Sequence, residues 1–306
     1  MKKNLIVILG PTASGKTKLA VRLARDLRSE IISADSRQVY RGMDIGTGKD
    51  LEDYIIDHEE IPYHLINIVD PDYDFNVFEY QTRFNRCFEE ISSRGIVPIL
   101  VGGTGMYLSA VLEQYKMVEV PENPELRESL KGDSLEDLQQ RLLVLNPSLH
   151  NTTDLLDRDR LLRAIEIAQI SCEKQGMETL DGRPQLVPLV IGVSWRREVL
   201  RKRIARRLKE RLSSGMIEEM KGLHESGISW DRLHFFGLEY RYVGLYLQRK
   251  ISYQEMVQTL AVRIGQFAKR QETWFRRMER HGIEIFWIEG GNYDSLKELL
   301  DRNLSS

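Results

Sequence analysis

Gly10, Pro11, Thr12, Ala13, Ser14, Gly15, Lys16 and Thr17 complete the pattern G-x-x-x-x-G-K-[ST]. In that pattern the glycines let the backbone turn its N–H groups toward phosphate oxygens. The lysine adds a point charge for the terminal phosphates, and the threonine offers a hydroxyl to Mg²⁺. The chemistry is that of nucleotide-binding and ATP-binding loops, namely capture of a di- or triphosphate. Two further segments carry reactive or glycine-rich character: Ala34-Asp35-Ser36-Arg37-Gln38 and Gly102-Gly103-Thr104-Gly105-Met106-Tyr107. Asp35 suits three tasks, as a ligand to Mg²⁺, a helix N-cap, or a general base beside the phosphates.

A phosphate loop works only between a buried strand and a helix N-terminus. The apolar run Leu5–Leu9 supplies the strand, and Leu19, Ala20, Leu23, Ala24 and Leu27 recur at helical spacing after it. Further runs of strand character are Glu30–Ala34, His64–Val69, Ile96–Val101, Val187–Val193 and Ile283–Ile288. Helical patterns separate most of them, so the fold class is α/β, a P-loop parallel sheet flanked by helices. Ligands of such sheets gather at the carboxyl ends of the strands, where the phosphate loop, Asp35 and Thr104 all fall. Between about residues 116 and 184 the rhythm changes to helices alone: Asn123–Leu130, Ser134–Leu145 and Asp157–Gln175. This predicts a catalytic domain of residues 1–115 plus 185–306 with an all-helical subdomain, residues 116–184, inserted into it. Long helices are predicted for Arg196–Ser213 and Ser252–Arg280.

The 306 residues exceed one usual core, in keeping with a main domain and a smaller one. No apolar run reaches membrane-spanning length, and Met1-Lys2-Lys3-Asn4 leads straight into the first strand, so a cytoplasmic protein without a signal peptide is expected. Cys87 and Cys172 fit reduced thiols rather than a disulfide or a zinc site. The formal net charge is only −2, but Arg196 to Arg211 holds nine Lys or Arg against two acids. A second basic stretch runs from Arg263 to Arg280, whereas Glu119 to Asp137 is acidic. That asymmetry points to a polyanionic partner.

Several blocks together resemble the tRNA dimethylallyltransferases, the tRNA isopentenyltransferase family. They are Gly10–Thr17, Ser33–Tyr40, Asp44-Ile45-Gly46-Thr47-Gly48-Lys49 and Gly102–Tyr107. Lys269-Arg270-Gln271 with Thr273-Trp274-Phe275 resembles the family's K-R-Q-x-T-W-F signature. The resemblance implies transfer of a dimethylallyl group from dimethylallyl diphosphate to N6 of the adenosine immediately 3′ of the anticodon, releasing diphosphate. The loop would then hold a leaving group, with Lys16 and Thr17-bound Mg²⁺ neutralising its charge, and Asp35 would take the proton of the attacking amine.

By the same resemblance Arg207, with Arg203 four residues before it, would contact the diphosphate, and Thr104 would lie by the substrate channel. The tRNA anticodon stem-loop would meet Asp35, Ser36, Arg37 and Gln38, Thr104, Arg127, the stretch Asp159-Arg160-Leu161-Leu162-Arg163, and Lys269, Arg270 and Gln271. Trp274 and Phe275 suit a core better than base stacking, and Arg160 and Arg163 suit intrahelical pairing, with Asp157 or Glu166 for example, as an alternative. The chain departs from the family's R-x-x-G-Y segment, reading Phe236-Gly237-Leu238-Glu239-Tyr240, on a surface expected to face RNA. No protein partner is inferred, and a monomer is expected. A small-molecule kinase and an adenylate prenyltransferase share the phosphate loop, but neither accounts for the C-terminal block and the basic surface.

Overall fold

The structure, a computed structural model, describes residues 2–117, 119–145, 157–173 and 182–304. Its strands are β1 (Leu5–Leu9), β2 (Ile31–Ala34), β3 (Ile55–Ile56), β4 (Glu59–Glu60), β5 (Tyr63–His64), β6 (Ile99–Gly102), β7 (Pro188–Ser194) and β8 (Ile285–Glu289). Six of them form one sheet in the order β5-β2-β6-β1-β7-β8, every pair parallel; β3 and β4 make a separate antiparallel hairpin. β1 lies at the centre and is buried along its whole length, because helices cover both faces of a wound sheet. One face packs Ile6, Ile8 and Ile191 against Leu19 and Leu23; the other packs Leu5, Val7 and Val190 against Phe84, Phe275 and Met278. The alternation along β1 follows from the two-residue period of a strand.

Of the expected strand His64–Val69 only His64 is in a strand, the second residue of Tyr63–His64. Leu65 and Asn67 take left-handed backbone angles, φ 62° and 56°, which end the extended chain. Val69 returns only as an isolated bridge to Tyr40. The other five runs lie within a residue or three of their expected bounds.

The helices of the sheet unit are α1 (Lys16–Leu27), α2 (Val77–Ser93), α3 (Gly105–Leu112), α7 (Arg197–Ser213), α8 (Met216–Glu225), α9 (Trp230–Phe235), α10 (Leu238–Leu247), α11 (Tyr253–Arg280) and α12 (Tyr293–Leu304). α11 starts with a complete capping box, Ser252 and Glu255 each satisfying the other's backbone N–H. Its buried residues, Met256, Leu260, Ile264, Ala268, Gln271, Phe275 and Met278, recur every three or four positions, so one stripe faces inward from Met256 to Met278.

The chain divides into two compact units, Met1–Tyr115 with Pro184–Ser306, and Lys116–Arg183. The second holds α4 (Pro124–Ser129), α5 (Leu135–Leu145) and α6 (Arg158–Glu173). Leu138, Leu142, Leu161, Leu162 and Ile165 form its own small core. The last two residues of the expected helix Asp157–Gln175 lie outside the described residues.

Candidate active site

At the end of β1 the chain turns through Ala13 (φ 61°) and Gly15 (φ 90°) before α1 begins at Lys16. Two left-handed residues in such a turn aim successive N–H groups inward. The loop is braced from outside. Trp195 Nε1 donates to the Ser14 carbonyl at 2.8 Å, and Arg203 Nε donates to the Ala13 carbonyl at 2.8 Å. The Arg203 guanidinium also lies 4.3 Å from the centre of the Trp195 ring. A third brace comes from α11, where Gln271 Oε1 accepts the Thr12 N–H at 2.8 Å and Gln271 Nε2 donates to the Gly103 carbonyl at 2.8 Å. One amide therefore ties the loops after β1 and β6 together. It also occupies the Thr12 N–H, so that donor of the expected phosphate set is already engaged.

Lys16 reaches the Pro11 carbonyl at 3.4 Å. Burial and the nearby Arg207 and Arg211 lower its ammonium pKa to about 8, against the pull of Asp35 and Asp50. An amine so placed gains from an anionic ligand, which restores the favourable field.

Asp35 leaves the end of β2 on the same edge. Its Oδ1 accepts the Arg37 N–H at 2.8 Å and the Gln38 N–H at 3.4 Å, an Asx-type turn. Both bonds fall on one oxygen, and among the described residues no hydrogen bond falls on Oδ2. Thr104 Oγ1 accepts the Ser36 N–H at 3.0 Å, and the Thr104 N–H donates to the Ala34 carbonyl at 3.2 Å. Thus the loops after β2 and β6 are also joined. Gly105 follows, and the Trp274 ring of α11 lies where its side chain would be.

The loop Asp44–Lys49 forms the next wall. Glu219 of α8 accepts three successive N–H groups, of Asp44 (2.8 Å), Ile45 (2.6 Å) and Gly46 (3.0 Å), and the Tyr240 hydroxyl at 2.6 Å. Lys49 is buried and donates to the Tyr40 carbonyl at 2.6 Å. Gly48 (φ 65°) has no room for a Cβ, because Arg207 and Arg211 of α7 occupy that space. Arg207 donates to the Gly48 carbonyl at 3.3 Å and pairs with Asp50. Arg211 lies 3.7 Å from Glu239 and 4.0 Å from Asp50. Burial pushes the Glu239 carboxyl up, while Arg211 and Arg207 pull it down.

The structure thus brings Gly10–Thr17, Asp35, Thr104 and Arg207 to one edge of the sheet, with Arg203 against the outside of the loop. Asp50, Trp195, Arg211 and Glu219 join them unannounced. Arg211 alone had a readable signal, lying four residues after Arg207 on the same helix face. A cleft of about 1010 Å³ opens between α7 and α11, touching the loop at Pro11 and walled by Trp195, Arg201 and Lys269. Asp35, Thr104 and Arg207 are not on its wall.

Several expected RNA contacts find other places. Gln271 is buried, with both ends of its amide used internally, rather than on an outer surface. Leu161 and Leu162 belong to the core of the helical unit, since apolar side chains on that face of α6 pack inward. Arg127 Nε and Arg163 Nη1 both bind the buried Glu166, at 2.7 and 2.8 Å, and Arg163 Nη2 donates to the Val120 carbonyl at 2.6 Å. The Gln38 amide is likewise internal, donating to the Gly48 carbonyl at 3.0 Å. Asp159, Arg160, Lys269 and Arg270 are exposed, and Ser36 and Arg37 are half-buried.

Phe236 is buried against Tyr40, ring centres 4.7 Å apart, and Glu239 faces Arg211. The departure from the family pattern therefore sets Phe236 against Tyr40 and Glu239 beside Arg211, within the sheet unit. Phe275 is core, and the half-buried Trp274 donates to Ser109 Oγ at 2.9 Å. Cys87 is a free thiol pushed up by burial; the Cys172 side chain lies outside the described residues.

Residues 38–278 match the family described as IPP transferase, and residues 3–62 match Isopentenyl transferase. The chain is 74% identical over 306 residues to tRNA dimethylallyltransferase 1 of Syntrophus aciditrophicus (strain SB), covering all of both chains. It is 58% identical to tRNA dimethylallyltransferase 1 of Geotalea uraniireducens (strain Rf4), covering 97% of this chain and 96% of that one. Among solved structures, the full-length tRNA isopentenylpyrophosphate transferase of Bacillus halodurans superposes with a TM-score of 0.68 at 33% identity, covering 99% of this chain and 95% of that one. A match across this much of the sequence, with a phosphate loop and an acid on one sheet edge, places the chain in the IPP transferase family, that of the tRNA dimethylallyltransferases.

Proposed function

We propose that the protein transfers a dimethylallyl group from dimethylallyl diphosphate to N6 of the adenosine immediately 3′ of the anticodon in tRNA, releasing diphosphate. The observation that carries this reading is that Asp35 stands on the same sheet edge as a phosphate loop whose Ala13 and Ser14 carbonyls are held from outside, near enough for its charge to act on the Lys16 ammonium. A new C–N bond forms at the allylic carbon while the C–O bond to diphosphate breaks, and the N6 proton passes to Asp35. Adenine N6 is a weak nucleophile because its lone pair is delocalised into the ring, so removal of that proton in the transition state matters. Asp35 can receive it through Oδ2 without giving up the turn held by Oδ1.

The departing diphosphate meets the loop N–H groups, Lys16 and Arg207, all fixed before reaction. Mg²⁺ fits the donors present. Among the described residues no group of three or more His, Cys, Asp or Glu could hold a metal, whereas Thr17 presents a hard hydroxyl oxygen at the start of α1. A hydroxyl plus substrate phosphates is an ordinary Mg²⁺ environment, and the ion when bound supplies neutralisation of diphosphate charge. Thr104 and Ser36 would line the path of the adenine, which must leave its stack to enter a pocket at the strand ends. Lys269 and Arg270, exposed on α11, suit RNA phosphates. A tRNA substrate also implies a cytoplasmic location; among the described residues no helix is long and apolar enough to cross a membrane.

The test is transfer of labelled dimethylallyl to unmodified tRNA in Mg²⁺, followed by mapping of the labelled nucleotide. Label at the single adenosine after the anticodon supports the reading. Label on free adenine nucleotides, or none at all, would refute it. Asp35→Ala is expected to slow transfer about 10²–10⁴-fold while tRNA affinity is kept. Retained turnover would remove Asp35 from the role of base.

A further inference from the structure

We propose that Glu239 positions Arg211 as a second guanidinium of the diphosphate site, so that the leaving group is met by an arginine pair, Arg207 and Arg211, rather than by Arg207 alone. The inference rests on the transferase reading and deepens it at one corner of the site.

Arg207 and Arg211 lie four residues apart on α7, and both guanidinia converge on the space that a Cβ at Gly48 would fill. Two like charges do not gather there without counter-charge. Asp50 pairs with Arg207 and leaves Arg211 at 4.0 Å, so it cannot serve both closely. Glu239, in the first turn of α10, stands 3.7 Å from Arg211 through Nη1, whereas Asp50 faces Nη2.

Arg211 is nevertheless under-satisfied. Its side chain is only 11% exposed, both its acidic neighbours stand beyond hydrogen-bond distance, and its Nε is buried without a partner. A buried guanidinium costs free energy until its donors are paired, and planar forks suit phosphate oxygens. Asp50 is the group an incoming phosphate would replace. The pair already reaches the phosphate loop electrically, since Arg207 and Arg211 both act on the Lys16 ammonium. Glu239 itself carries the wrong sign to touch a diphosphate, so it acts through Arg211.

The experiment titrates inorganic diphosphate with Mg²⁺ into the full chain by calorimetry. It compares the natural protein with Glu239→Gln, Arg211→Ala and the double variant. Each single change is expected to weaken diphosphate binding about tenfold, with the double variant no weaker than Arg211→Ala. KM for dimethylallyl diphosphate should rise in step, while affinity for tRNA, which also reports an intact fold, stays unchanged. Glu239→Asp should recover part of the loss. Unchanged or tighter diphosphate binding by Glu239→Gln would overturn the proposal, as would losses that multiply in the double variant. Those outcomes in an enzyme that still transfers its prenyl group refute only the role of Glu239. A natural protein that neither binds diphosphate nor transfers a prenyl group refutes the transferase reading, and this proposal with it.

Discussion

Lys16 holds its proton less firmly than a free lysine does, because it is half-buried, drawn away from water beside Arg207 and Arg211. The sign of the consequence is plain. Below a pH of about 8 the ammonium is charged and attracts diphosphate; above it the charge is lost. Diphosphate affinity of the free protein is therefore expected to fall as pH rises through about 8, one proton per site, and calorimetry across pH 7 to pH 10 would register it. Bound diphosphate favours the charged form, so in the complex the same fall moves to higher pH. An affinity flat across that range would mean that Lys16 lies outside the phosphate field. The lysine was legible from the loop pattern, but its weakened charge was not. That depends on Arg207 and Arg211, which stand far away along the chain and meet it only through the fold.

At the scale of elements, α11 works as a strut. Gln271 holds the loops after β1 and β6 at a fixed spacing, with an acceptor for one and a donor for the other. Gln271→Ala leaves the buried Gly103 carbonyl and the Thr12 N–H unpaired, a loss of roughly 1–3 kcal/mol for each unsatisfied group. Thermal unfolding should register that loss. A lower transfer rate at saturating tRNA should accompany it, since the loop is no longer registered against Thr104. A variant as stable and as fast as the natural protein would show that the loops hold themselves. Gln271→Glu keeps only the acceptor and should fall between the two.

Most strands of the parallel sheet, the helical stretch of residues 116–184 and the start of α11 could all be read from periodicity and glycine patterns. The third strand could not, because Leu65 and Asn67 leave extended geometry with no glycine to announce it. Nor could the inward turn of Gln271. Within a basic stretch of helix it reads as one more polar residue, and only the 3.6-residue stripe that buries Ala268 and Phe275 carries it inside.

On the scale of the whole molecule, charge is arranged differently in the two units. In the sheet unit Arg203 of α7 reaches the phosphate loop, and Arg207 and Arg211 converge on Gly48. In the helical unit Arg127 and Arg163 close on Glu166, whose carboxylate also accepts the Asn123 N–H at 3.1 Å and which their pairing holds below the usual range. Glu166→Ala strips two arginines of a buried counter-charge, a type of change that costs on the order of 3–5 kcal/mol when both partners are buried and less here, where each arginine is about a third exposed. Hydrogen exchange is expected to quicken in α4 and α6 and to stay slow in β1, with diphosphate binding retained. Faster exchange throughout both units would mean that they unfold together.

The two units are joined in a particular way. The Gln114 amide donates to the Pro184 carbonyl at 3.1 Å, so the chain departs from the sheet unit and rejoins it at neighbouring points. A segment that begins and ends at one place behaves as a cassette. It can be lengthened, shortened or traded without severing a strand of the sheet, so that the helical unit and the sheet edge that carries the phosphate loop are free to change at different rates.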